Sequence, residues 1–201
     1  MTDINAQLVR EFLEFNRYYV LPYWRWAELD THTEGGMLLF AERVDQSAPV
    51  PPPGFILRPE DFSALDRIVV DVRAWHGDRF YPSLIEKSPI LGRLGEGWIR
   101  EAVDRVFEGK PWKSILIVSE FSSNPDLRGR AAELLRAMGL DHAAECSAML
   151  AGLVEAVDMW GNYGPSQTLQ TIRLLKRYGL LRHQQLEFPF PVIRPGARHS
   201  E

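Results

Sequence analysis

The chain has 201 residues, 45% of them hydrophobic and 25% charged, with a net charge of -4 and an isoelectric point near 5.8. That length supports one hydrophobic core and is short for two, so a single domain over residues 1–183 with a tail over 184–201 is expected. The acidic balance excludes a protein that coats nucleic acid or an anionic membrane by bulk charge, leaving only local basic patches to meet a polyanion.

Residues 4–15 place Ile4, Leu8, Phe12 and Phe15 near helical spacing behind Asp3 as N-cap. "RYYVLPYWRW" then reads as a strand, although Pro22 confines it to an edge or a bulge because proline has no N–H for the ladder. "GGMLLFAERV", 35–44, is a second strand. "SAPVPPPGF" holds four prolines and a glycine in nine residues and suits an extended surface connection, and "RPEDFSAL" suits one or two helical turns. "IVVDVRAWHGD", 68–78, opens as a third strand.

Prolines and glycines break residues 80–96 into short pieces before a helix, "EGWIREAVDRVFEG", that ends at Gly109. "SILIVSEF", 114–121, is a short apolar run of the kind buried on both faces. "PDLRGRAAELLRAMG" is a helix closed by Gly139, "LDHAAEC" a last strand, and "MLAGLVEAV" and "SQTLQTIRLLKRYG" two more helices, the second capped by Ser166 and stopped by Gly179. The order α, β, β, β, α, β, α, β, α, α implies an α/β fold: a mixed central sheet flanked by helices, its later half wound by crossovers.

The third strand poses the functional question. Alternation along a strand turns Asp71 and Arg73 to one face and Val70 and Val72 to the other. Two charges on one face are either a solvated or mutually paired couple at the end of an ordinary strand, or the remnant of a metal-dependent site. With the leading "LVREFLEFNRYYV" and the element order, this acid-x-base triplet resembles the core of the PD-(D/E)xK nuclease-like superfamily, the restriction-endonuclease-like fold, over roughly residues 5–146. The resemblance implies Asp71 at the (D/E) position, Arg73 at the lysine position, and Glu14 or Glu11 joining from the first helix. It also implies Mg²⁺ or Mn²⁺ held between carboxylates, the metal lowering the pKa of a water and neutralising a scissile phosphate.

Two departures weigh on that expectation. Where an acid opens the second strand in the family, this chain reads "TEGGMLLFA", so the second metal ligand would have to be Glu34 or Glu42. A guanidinium, with a pKa above about 12, cannot replace a lysine that acts as a base, although it grips phosphate bidentately. The expected function is therefore a nuclease-like subunit with a degenerate metal site that binds nucleic acid or a partner protein in a nucleic-acid-processing or defence assembly. The alternative is an active metal-dependent nuclease using Asp71, Arg73, Glu14 and Glu34, with Asp71 and Glu34 on the metal.

For a nucleic-acid face, His76 and Arg79 lie beyond the strand's carboxyl end, where ligands sit in open α/β sheets. Arg173, Lys176 and Arg177 stripe the last helix, where attraction to the helix dipole is the ordinary explanation. The histidines lack metal-finger spacing, no CxxC is present, and Ser119 lies outside any G-x-S-x-G elbow. In the tail, Leu186, Phe188, Phe190, Val192 and Ile193 stand among prolines and suit an extended arm covering the chain's own sheet or a partner's. Six tryptophans and sixteen Phe and Tyr residues add to the expectation of a protein partner or self-association. The start "MTDINAQLVREF" lacks the basic and apolar regions of a signal peptide, no apolar run reaches the roughly 18–20 residues of a membrane span, and the lone Cys146 forms no internal disulfide. A cytoplasmic protein without a membrane segment is expected.

Overall fold

The computed structural model describes residues 4–21, 37–45, 52–74 and 79–181. Its centre is the apolar-rich strand β4 (Arg67–Arg73). Ile68, Val70 and Val72 enter one core and Val69 the other, because successive side chains leave opposite faces of a strand. Around it stand β1 (Tyr18–Leu21), β2 (Met37–Arg43), β3 (Ile56–Leu57), β5 (Lys113–Val118) and β6 (His142–Glu145).

The six-stranded sheet runs in the order β1-β2-β4-β5-β6-β3. β1, β2 and β4 pair antiparallel, and β4, β5, β6 and β3 pair parallel. A mixed sheet flanked by helices is thus the fold class the element order predicts. β3 is the strand that sequence reading does not find, since two residues are too few to show a period. The first strand's predicted extension through Pro22 to Trp26 lies outside the described residues.

On one face, α1 (Ile4–Phe15), α5 (Cys146–Ala156) and α6 (Gln167–Arg177) cover the sheet through Val9, Phe12, Leu13, Met149, Leu153, Leu169 and Ile172. On the other lie α2 (Pro82–Lys87), a 3-10 segment (Pro89–Gly95), α3 (Gly97–Val106) and α4 (Pro125–Ala137), packed through Ile85, Leu91, Leu94, Ile99, Val103 and Leu135. Among the described residues, no helix is long and apolar enough to cross a membrane.

Local chemistry explains the boundaries. Asn124 caps α4 by accepting the Asp126 and Leu127 N–H groups, with Pro125 at the first helical position, and Ser166 caps α6 through the Leu169 N–H. At the other end of α6, Lys176 Nζ donates to the carbonyls of Val154, Glu155 and Val157, closing the end of α5. The buried Tyr18 hydroxyl lies 2.6 and 2.5 Å from the carbonyl oxygens of Phe62 and Leu65, tying β1 to the 3-10 turn Pro59–Ala64 that leads into β4.

Gly139 ends α4 at φ 86° and packs its Cα against Gly95, and a Cβ on Gly95 would stand 2.0 Å from the Met138 carbonyl oxygen. Backbone cannot swing aside as a flexible side chain can. Gly95→Ala is therefore expected to destabilise the protein by about 1–3 kcal/mol, the usual cost of overpacking. Urea unfolding checks this, and an unchanged midpoint would refute the close approach.

Candidate functional site

Asp71 and Arg73 share one face of a central strand, as the alternation requires, but neither is solvated: Asp71 is 0% and Arg73 1% exposed. Asp71 stands opposite Leu38 of β2 and Leu116 of β5, and Arg73 opposite Val118, so the pair is flanked by aliphatic side chains. Arg73 Nε donates to Asp71 Oδ1 at 3.1 Å. From above the sheet the 3-10 segment lowers Arg93, only 6% exposed, until its Nε stands 3.3 Å from Asp71 Oδ2. One carboxylate between two guanidiniums is the central feature of this face.

Arg93 is the member that sequence reading misses. It lies in "PILGRLG", where prolines and glycines obscure any period, and the flanking Leu91 and Leu94 are the only hint that the turn is pinned to a core. Burial pushes the Asp71 carboxyl up, and the two guanidiniums oppose it. The net effect leaves the Asp71 carboxyl above its usual range, beside two guanidiniums that stay protonated.

Among the described residues, the structure does not assemble the expected carboxylates around Asp71. Glu14 lies on α1, which covers the opposite face of the sheet, and its Oε1 accepts from Arg10 Nε at 2.7 Å. Glu11 lies on that helix as well. Glu42 sits opposite Arg67, with which it pairs at 2.8 Å, four residues along β2 from Leu38 and so roughly 13 Å from the Asp71 level at about 3.3 Å per residue. Glu34 lies outside the described residues. Among the described residues, no three His, Cys, Asp or Glu side chains cluster closely enough to hold a metal ion. The donors in view do not fit Mg²⁺ or Mn²⁺, which take several oxygen ligands, because the one carboxylate already faces two cations.

The residues expected at a nucleic-acid face are dispersed. His76 lies outside the described residues, and Arg79 pairs with Glu120 at 3.3 Å. On α6, Arg173 Nε donates to Gln170, Lys176 is held by three carbonyls, and the Arg177 guanidinium lies 5.6 Å from the Trp160 ring centroid. Lys176 thus closes the carboxyl end of α5 and not that of its own helix.

A second polar cluster stands at the carboxyl ends of β5 and β6. After β5 the chain turns into α4 over one face, and after β6 into α5 over the other, which makes this crevice a topological switch point of the kind that hosts ligands. Glu145 occupies it: the Phe121 N–H donates to Oε1 at 2.8 Å, and Arg128 bonds both oxygens at 2.9 and 2.7 Å. Arg128 also lies over the Phe121 ring. Partial burial works to raise the Glu145 carboxyl, but Arg128 and the Phe121 N–H outweigh it and hold the group below the usual carboxylate range. Asp141 is likewise lowered against partial burial, by Ser114 and Lys113.

Two measurements follow. Asp71→Asn leaves two buried guanidiniums without their carboxylate, so it is expected to cost about 3–5 kcal/mol in urea unfolding, as breaking a buried ion pair does; a loss below about 1 kcal/mol would mean the guanidiniums reach water. Because the folded-state pKa of Glu145 lies below its unfolded value, its contribution is complete above the unfolded value of about 4.3 and is lost as pH falls through the folded one. Glu145→Gln is thus expected to flatten the decline of stability below about pH 4.5, and an unchanged acid limb would contradict the pairing. Compared with family models, with curated proteins and with solved structures, the chain matches none.

Proposed function

We propose that this protein is a nuclease-like α/β subunit that binds without cutting, and that its partner in a nucleic-acid-processing or defence assembly is a protein. The observation that carries the reading is the pairing of Asp71 with Arg73 and Arg93 at 3.1 and 3.3 Å. A carboxylate so held organises a core and is poorly placed to ligate a cation. The run α1, β1, β2, β4, helices, β5 supports the nuclease-like part, since these strands keep their chain order in adjacent sheet positions. A protein partner is favoured over nucleic acid by what the described surface offers. The predicted cations are engaged locally, while Trp160 and Tyr178 near the end of α6 are 75% and 73% exposed.

The test uses the purified full chain with labelled single- and double-stranded DNA and RNA, with and without Mg²⁺ or Mn²⁺. No cleavage is expected, and no retention of either nucleic acid at physiological salt. Metal-dependent cleavage lost in a folded Asp71→Asn variant would overturn the non-cutting reading. Binding that weakens steeply with salt would replace the protein partner by nucleic acid.

A further inference from the structure

β3 is short because prolines bound it. Pro52 and Pro53 have no N–H for a ladder, and Pro59 opens the 3-10 turn on the other side. Two residues therefore pair, in parallel, with β6, and among the described strands with β6 alone. The Ala143 N–H completes this pairing by donating to the Phe55 carbonyl at 2.9 Å. Phe55 enters one core, beneath the Arg136 guanidinium 4.6 Å from its ring centroid, and Leu57 enters the other. So few backbone ties place residues 54–57 toward the low end of local stability.

One side chain of β6 reaches across to this segment. His142, only 8% exposed and the one histidine among the described residues, sets Nδ1 3.0 Å from the Gly54 carbonyl oxygen. A carbonyl only accepts, so Nδ1 carries the proton of the neutral ring, and a further proton would add at Nε2. Burial is the largest influence on the ring and pushes its pKa down. Lys113 on β5 acts in the same direction, while the Gly54 carbonyl and the carboxylates of Asp141 and of Asp61 in the 3-10 turn act against it. Asp141 is engaged by Lys113 at 2.9 Å and by the Ser114 hydroxyl at 2.8 Å, so it is no dedicated counter-ion for the imidazole.

We propose that His142 is a proton-sensitive latch: protonation of its ring drives residues 54–57 away from β6, and deprotonation closes them again. A charged ring gains by reaching water, and it does so most cheaply where the covering backbone is least attached, at the exposed Gly54 and the two-residue strand beyond it. The sign follows from the lowered folded value. The open form binds the extra proton more tightly, so closure is complete above the unfolded value of about 6.5 and weakens as pH falls from there toward the folded one. Opening withdraws the Phe55 carbonyl and leaves the Ala143 N–H to exchange with solvent.

Amide hydrogen exchange on the full chain, corrected for its intrinsic pH dependence, tests this between about pH 7.5 and about pH 5, a window above the range where Asp141 and Glu145, both held low, take up protons. Protection of the Ala143 amide is expected to fall at least about threefold across it while amides of β4 and β5 hold. His142→Asn keeps a donor near the reach of Nδ1 but has no charged form, and is expected to abolish the pH dependence at Ala143. NMR titration of the wild-type His142 ring is expected to give a midpoint below about 6.5. Constant protection at Ala143, a fall shared equally by β4 and β5, a fall that persists in His142→Asn, or a midpoint at or above about 6.5 would each overturn the latch. The exchange and ring titration of the wild type decide the matter even where His142→Asn does not fold.

Discussion

The burial of Asp71 between Arg73 and Arg93 is the constraint on which the arrangement of one whole face depends. Removing two guanidiniums from water costs several kcal/mol each, which only close pairing offsets, so the 3-10 segment carrying Arg93 sits where its guanidinium reaches the Asp71 carboxyl. That requirement fixes the segment against β4 more specifically than Leu91 and Leu94 alone would, because apolar contact has no direction. The close approach of Gly95 to the end of α4 is part of the same arrangement, for the segment that delivers Arg93 is the one that passes there.

The other polar groups on the sheet obey the same rule at lower stakes. Glu145 at the switch point, Asp141 beside Ser114 and Lys113, and Lys176 at the end of α5 are each met by a partner from another element. Local pairing at these places consumes groups that composition alone would offer to a ligand. It is why Lys176 acts as a tie between helices, and why the crevice between β5 and β6 is filled by an ion pair.

The fold class was readable because it rests on periodicity and punctuation. The alternation of 68–73, the apolar run at 114–118, the cap at Ser166 and the stops at Gly139 and Gly179 are local signals, and tertiary packing agrees with each of them. β3 escaped because two residues are too few to show a period, and among the described strands it pairs with β6 alone. The expectation of Glu14 beside Asp71 failed for a reason of parity. A period of two tells which residues share a face, but which helix covers that face is decided by the path of the chain.

What the sequence by itself determined, then, is the set of elements and the fact that Asp71 and Arg73 project together, since both follow from backbone geometry acting over a few residues. Only the tertiary structure decided that this pair is buried, that Arg93 from a turn twenty residues onward completes it, and that α1 with its glutamates stands on the far side of the sheet. The physical reason is that a charge's environment is set by whatever packs on it, and those groups come from segments whose spacing along the chain carries no trace of their meeting.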